Sequence, residues 1–220
     1  MNCFLQTKRI KLDLLTIQKI FELMLERNER KKTGTFYTPY FIVDYIVQNS
    51  IKGDLNVVDP CCGCGAFLVG AVKRINKITQ KSIIDIIETN IYGVDNSEEA
   101  IRRAKIILAL LALSLGEDKE DICFNLLYAD SLLLDWKKEF PKIFKEGGFD
   151  VVIGNPPYAQ LPPEYSIIQL SSRFSVIGQN LKPNLYLIFL NLMLDISKKE
   201  GVGGVIIPLS IAFSSEYSFV

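Results

Sequence analysis

Asn56-Val57-Val58-Asp59-Pro60-Cys61-Cys62-Gly63-Cys64-Gly65-Ala66-Phe67-Leu68 is the stretch on which the fold turns. A short apolar run with two valines closes on an aspartate, two glycines follow, and an apolar helical pattern continues through Val72. That succession reads as a buried strand, a tight loop and a helix beginning near Ala66. The pattern repeats downstream. Ile91 to Asp95 is a second strand, and its helix opens at Ser97, an N-cap with Glu98 and Glu99 in the first turn, and runs to about Leu115 before Gly116. Leu126 to Asp130 is a third strand and Phe149 to Gly154 a fourth. A helix from Leu185 to Lys199 then leads into a fifth strand over Gly203 to Pro208. Such alternation implies an α/β fold, a mostly parallel sheet with helices on both faces.

Upstream, Ile42, Val43, Ile46 and Val47 mark the inward face of a further helix. It is separated by Lys32 to Pro39 from an amphipathic helix over about Leu12 to Arg30, whose apolar face is Leu14, Ile17, Phe21, Met24 and Leu25. The chain therefore divides into an N-terminal helical segment, 1–33, and a main domain, 34–220.

With 220 residues the chain can bury one sizeable core. Its formal net charge is zero, so no global positive field attracts nucleic acid. The local basic groups, Lys8, Arg9 and Lys11, then Arg27, Arg30, Lys31 and Lys32, read as a solvated helix face rather than a DNA contact. The most apolar stretch, Leu185 to Ile196, is shorter than the roughly 20 residues that span a bilayer. No secretory signal pattern opens the chain. Five cysteines, three of them at 61, 62 and 64, argue against a disulfide framework and for a reducing, cytoplasmic setting. Histidine is absent and no second cysteine cluster faces the first, so no metal site is expected. The clustered cysteines read as small loop residues.

The strands end alike. The first closes on Asp59, the second on Asp95, the third on Asp130, and the fourth leads into Asn155. Acceptors in register along the carboxyl edge of a sheet outline a ligand cleft. In the first loop, Gly63 and Gly65 let the backbone pass close to a ligand, and the helix after it points N–H groups at the same place. No Gly-Lys-Ser/Thr follows, so a nucleoside with a carboxylate suits this loop better than a triphosphate. Asp95 is placed to accept from ribose hydroxyls, a feature shared with dinucleotide-binding proteins. Asp130 could accept from an adenine amino group, or simply cap the next helix.

Asn155-Pro156-Pro157-Tyr158 is a rigid polar turn, since neither proline can extend a ladder. Its chemistry suits methyl transfer to a planar amine. The Asn155 side-chain carbonyl and the Pro156 carbonyl can accept from the two N–H groups, which frees the nitrogen lone pair. Fixed dipoles also stabilise the positive charge that develops on nitrogen. Tyr158 offers a π face for stacking and for the same cation. No strong base is needed.

The order Phe36-Tyr37-Thr38-Pro39, Asp59 to Gly65, Asp95, Asp130 and Asn155 to Tyr158 resembles adenine-specific DNA methyltransferases, above all type I modification subunits and fused type IIG enzymes. The resemblance extends from about Gly34 to Phe213. It implies a Rossmann-like, S-adenosylmethionine-dependent fold. The cofactor would be held by Tyr37, Thr38 and Pro39, by Asp59, Pro60, Cys61, Gly63 and Gly65, and by Asp95, Asn96, Asp130 and Asn155. It further implies double-stranded DNA as partner, with the target adenine flipped into the turn made by Asn155, Pro156 and Tyr158. Cys64 departs from the serine or threonine usual there. Family members also continue with two more strands and a DNA-reading domain, so a separate or further specificity element is expected. The same turn occurs in enzymes that methylate a protein glutamine amide or RNA guanine. A catalytically silent remnant that binds cofactor or a partner is a third reading.

Overall fold

The computed structural model describes residues 38–163, 165, 170–174 and 184–209. The N-terminal helical segment, both basic clusters, Tyr37 and much of the polar stretch 159–182 lie outside the described residues.

Five parallel strands form one sheet among the described residues: β1 (Val57–Asp59), β2 (Ile91–Asp95), β3 (Asn125–Tyr128), β4 (Phe149–Gly154) and β5 (Ser197–Val205). Their order across the sheet is β3-β2-β1-β4-β5. From β1 the chain winds outward through β2 and β3, then crosses back to place β4 on the other side of β1. The order thus reverses between β1 and β4, where such sheets open a crevice.

Helices cover both faces. On one lie α1 (Tyr40–Ser50), α2 (Ala66–Thr79), α3 (Ile83–Thr89) and α4 (Glu98–Ser114), packed on Val57, Ile91, Leu126, Val151 and Ile153. On the other, α5 (Trp136–Glu139), α6 (Pro141–Lys145) and α7 (Leu185–Ile196) pack on Val58, Val94, Phe149 and Val152. Alternate strand side chains thus feed two separate cores, as a parallel sheet buried on both faces requires. Within α1, Val43 and Val47 are buried and Ile42 and Ile46 half-buried, in line with the inward face read from the sequence. The helix lies unusually low on β5: a Cβ at Gly204 would stand 2.6 Å from Ile46 Cγ2 and 2.7 Å from Ser50 Oγ.

Several features depart from the sequence reading, which marks neither α5 nor α6 and carries β5 to Pro208, although that strand ends at Val205. Helix α3 was not marked by it, although Ser82 caps that helix by accepting from the Asp85 N–H at 3.0 Å. The third strand stops at Tyr128, which puts Asp130 in the following turn rather than on the strand. The last helix ends at Ile196 and β5 begins at once, so Ser197 to Lys199 are strand and not helix. Local propensity favours a helical tail for two lysines and a glutamate, but tertiary pairing overrides it. Lys198 Nζ sits 2.6 Å from Asp150 Oδ1, and Asp150 Oδ2 accepts from the Asn56 N–H at 2.9 Å. One carboxylate thus joins the beginnings of β1, β4 and β5. Among the described residues no helix is long and apolar enough to cross a membrane.

Candidate active site

The crevice between β1 and β4 is built first by what is missing from it. Gly154 closes β4 directly beside Asp59, and a Cβ there would lie 2.8 Å from Asp59 Oδ1. Only glycine lets that carboxylate lie flat against the next strand. Asp59 is buried, and its Oδ1 accepts from the Cys61 N–H at 3.0 Å.

The loop that follows is tied to the neighbouring strand ends. Pro60 is buried, and its carbonyl accepts from Ser131 Oγ at 2.5 Å. The Cys62 N–H donates to the Val94 carbonyl at 3.0 Å, and the Gly63 N–H to Asp95 Oδ2 at 2.8 Å. Asp95 Oδ1 accepts from the Ser97 N–H at 2.9 Å. Gly63 and Gly65 hold φ of +51° and +83°, the left-handed region that other residues enter only with strain. Nothing lies within 4 Å of where a Gly63 Cβ would point, so the loop faces open space there. Gly65 is the N-cap of α2 and brings no capping side chain, which leaves the first N–H groups of that helix for a ligand.

At the end of β4, Asn155 Nδ2 donates to Thr38 Oγ1 at 3.1 Å, while the Tyr158 hydroxyl donates to Asn155 Oδ1. The Ile206 carbonyl lies 3.2 Å from the same hydroxyl. Pro156 is buried, and the Tyr158 ring meets Tyr186 of α7 edge-on, centroids 6.3 Å apart. The sequence offers the Tyr158 ring as a stacking face, and the structure adds a contact without a local signal: the Tyr158 hydroxyl lies on the Asn155 side-chain carbonyl. Asp130 is similarly engaged: Oδ1 accepts from the Leu132 N–H at 2.9 Å and Oδ2 from the Tyr165 hydroxyl.

Most of the expected residues therefore meet along one edge. Thr38 reaches it from the segment before α1, where Pro39 serves as the helix N-cap and its carbonyl accepts from Ile42 and Val43. Asn96 stands exposed beyond β2 and joins none of these contacts. Tyr37 lies outside the described residues. Ser131, Tyr165 and Ile206 were not anticipated. Ser131 follows Asp130 directly and could have been suspected, whereas Tyr165 and Ile206 carry no local signal.

The cysteines of the loop form no disulfide among the described residues. Burial, with the negative charges of Asp59 and Asp95 nearby, pushes Cys61 and Cys62 well above the usual thiol range. They stay protonated and are poor nucleophiles. Among the described residues no group of three or more His, Cys, Asp or Glu is arranged to hold a metal ion.

The family model for the N-6 DNA methylases matches residues 13–218. The chain belongs to the N-6 DNA methylase family. Among curated relatives, it is 28% identical over 140 residues to the type I restriction enzyme MpnII methylase subunit of Mycoplasma pneumoniae, covering 62% of this chain and 24% of that protein. It is 32% identical over 131 residues to the MjaIX methylase subunit of Methanocaldococcus jannaschii, covering 59% of this chain and 20% of that protein. The chain thus matches only about a quarter or less of the length of these relatives. In fold it is similar to the DrdV–DNA complex, with a TM-score of 0.71 and 17% identity over 94% of this chain and 24% of that one. It is also similar to a modification subunit of a putative type I restriction enzyme from Vibrio vulnificus, at 0.62 and 22% over 93% of this chain and 41% of that one.

The residues along this crevice fit S-adenosylmethionine, a cationic nucleoside that carries a carboxylate. Burial raises the Asp59 carboxyl from 3.8 to about 7 and also lifts Asp95, and no cation among the described residues offsets either charge. A buried Asp59 and a half-buried Asp95 beside an open glycine loop are a poor seat for phosphates and a good one for a cation with hydroxyls.

A pH dependence follows for Asp59. Its folded pKa lies above its ordinary value, mainly through burial, with the Asp95 charge adding and the Cys61 N–H opposing. The protonated form is therefore favoured by folding. Its contribution is complete below about 3.8 and is lost as pH rises through about 7. Asp59→Asn keeps an acceptor for the Cys61 N–H and carries no charge. The variant is expected to gain stability over the unmutated protein as pH climbs from 4 to 8, by an amount on the order of 4 kcal/mol at most. Urea unfolding at both ends of that range measures it; a parallel pH response in the two proteins would refute the assignment.

Proposed function

We propose that this chain carries the methyl-transfer centre of a restriction-modification DNA methyltransferase acting on the N6 amine of adenine. The observation that carries the reading is the Asn155-Pro156-Pro157-Tyr158 turn, set at the end of β4 across the strand-order reversal from Asp59. S-adenosylmethionine, when bound, supplies a methyl group on a sulfonium. Asp59, Pro60, Cys61, Gly63 and Gly65 hold its amino-acid end together with Thr38, Pro39 and Tyr37. Asp95 and Asn96 serve the ribose, and Asp130 the adenine. Asn155 Oδ1 and the Pro156 carbonyl accept from the target amine, and the Tyr158 ring stacks on the base and steadies the developing cation. The adenine reaches this turn flipped out of double-stranded DNA, whose sequence is read by a separate or additional specificity element.

The family match favours neither a protein glutamine amide nor RNA guanine. Transfer of labelled methyl from S-adenosylmethionine to duplex DNA, with and without a specificity protein from the same system, tests the reading. Label recovered as N6-methyladenine supports it. Label absent from DNA but present in a release factor or RNA would sink it.

Tyr165 gives a second measurement. Its hydroxyl donates to Oδ2 of Asp130, the carboxylate proposed for the cofactor's adenine, and so draws on the same acceptor. Tyr165→Phe is expected to tighten S-adenosylmethionine binding by about 3- to 10-fold, the worth of one ordinary hydrogen bond. Calorimetric titration checks it, and weaker binding would make Tyr165 a cofactor contact instead.

A further inference from the structure

Between β3 and α5 the chain makes a turn, Asp130 to Leu134, that serves the crevice twice. It carries the Asp130 carboxylate, and its Ser131 hydroxyl holds the Pro60 carbonyl of the loop after β1. The carbonyls of the turn are used in their own right. That of Asp130 accepts from the Leu133 and Leu134 N–H groups at 3.1 and 2.9 Å, and that of Ser131 from Trp136 Nε1 at 3.0 Å. Those of Leu132 and Leu134 share one donor: Arg173 Nη1 lies 3.0 Å from each.

Arg173 arrives from 41 and 39 residues further along the chain. It sits in a helical turn, Leu170 to Phe174, where the Arg173 and Phe174 N–H groups donate to the Leu170 carbonyl at 3.0 and 2.7 Å. Leu170 and Phe174 are both buried in the core beneath α5, α6 and α7. The guanidinium carbon stands 5.1 Å from the Phe174 ring centroid, a ring face that suits a cation. The side chain is thus anchored at its base and supported along its length. A guanidinium has donors only, so the sense of its two contacts is fixed by its chemistry. One nitrogen donating to two carbonyls sets the spacing between them.

What that spacing governs is Asp130. The Leu132 N–H donates to Asp130 Oδ1 at 2.9 Å, and the Leu134 N–H donates to the Asp130 carbonyl. Both residues that Arg173 grips are therefore residues that grip Asp130. Displacing them turns the carboxylate.

We propose that Arg173 is a positioning residue for the cofactor's adenine: by fixing the Leu132 and Leu134 carbonyls it holds the Asp130 carboxylate where the 6-amino group donates to it. This rests on the reading of Asp130 as acceptor for that amine.

Arg173→Met keeps a long apolar stem against Phe174 and removes every donor. The probes are S-adenosylhomocysteine, the product of the proposed transfer, and its analogue with hydrogen in place of the 6-amino group. Both are titrated calorimetrically against the full chain. A hydrogen bond to a carboxylate gives the unmutated protein a preference for the amino compound of about 10- to 100-fold. Asp130→Ala should abolish that preference, which tests the reading of Asp130 by itself. Arg173→Met should reduce it to about threefold or less, with affinity for the analogue kept within about threefold. An equal loss for both compounds would make Arg173 a general brace and overturn the proposal. So would a preference that survives Arg173→Met while Asp130→Ala abolishes it. No preference in the unmutated protein, or one untouched by Asp130→Ala, would take Asp130 away from the adenine and this inference with it. Urea unfolding checks that each variant is folded. Should the methionine variant not fold, Arg173→Lys takes its place in the same comparison; its ammonium lacks the rigid plane, and the preference is expected to fall by about 3- to 10-fold.

Discussion

Asn155→Ala is expected to lower the single-turnover rate of methyl transfer by about 10²- to 10³-fold, the usual cost of removing one preorganised group aimed at developing charge. The reasoning is electrostatic. The amine nitrogen gains positive charge as the methyl arrives, and the Asn155 amide is a fixed dipole, its Nδ2 on Thr38 and its Oδ1 on Tyr158. Alanine removes that dipole and nothing replaces it in a cleft walled by Pro156 and the buried end of β4. The fold should survive. Asn155 is half-buried and lies beyond the strand, and Tyr158 keeps the Ile206 carbonyl as an acceptor. Rapid-quench measurement with saturating cofactor isolates the step, and a urea midpoint checks that the protein is intact. A rate within about threefold of the unmutated protein would remove Asn155 from the chemistry.

The largest effect on stability is expected at Phe149. Its ring is fully buried and opens β4 among four aromatic neighbours. Tyr92 lies 5.3 Å away between centroids, Phe140 5.7 Å, and Trp136 and Phe144 each 6.1 Å, all in edge-on arrangements. Edge-to-face contacts of this kind add to the burial of the ring itself. Phe149→Ala should cost about 3–5 kcal/mol, since the surrounding rings cannot collapse into a space bounded by the sheet. Denaturant unfolding measures it. A loss below about 1 kcal/mol would mean that the neighbouring rings refill the space completely.

Strands β1, β2 and β4 were legible because each is a short apolar run that stops on or beside a polar residue. The same feature located Asp59, Asp95 and Asn155. Parallel strands buried on both faces write their signal locally. The start of β5 was not legible, because Ser197 to Glu200 join the sheet through Asp150, a partner remote in sequence. Helix α3 was missed between two stronger patterns, despite its serine cap. The contacts that define the site's working geometry were the least visible. Thr38 with Asn155, Tyr165 with Asp130 and Ser131 with Pro60 each link segments with no common periodicity. Residue identity marked most of the participants, while only the assembled sheet paired them.

The strand order has a bearing on how the protein is made. Strand β1 lies at the centre of the sheet, with one flank given to β2 and the other to β4. A nascent chain supplies β2 soon after β1 but β4 only on the order of ten seconds later, at about 5–20 residues per second. For that interval the growing half-sheet presents the β4 side of β1 as an unpaired edge, with Val57 and Val58 open to any passing strand. Synthesis through β4 closes that edge and, in the same event, delivers the Asn155 turn to Thr38, which has been waiting on the other side of the gap.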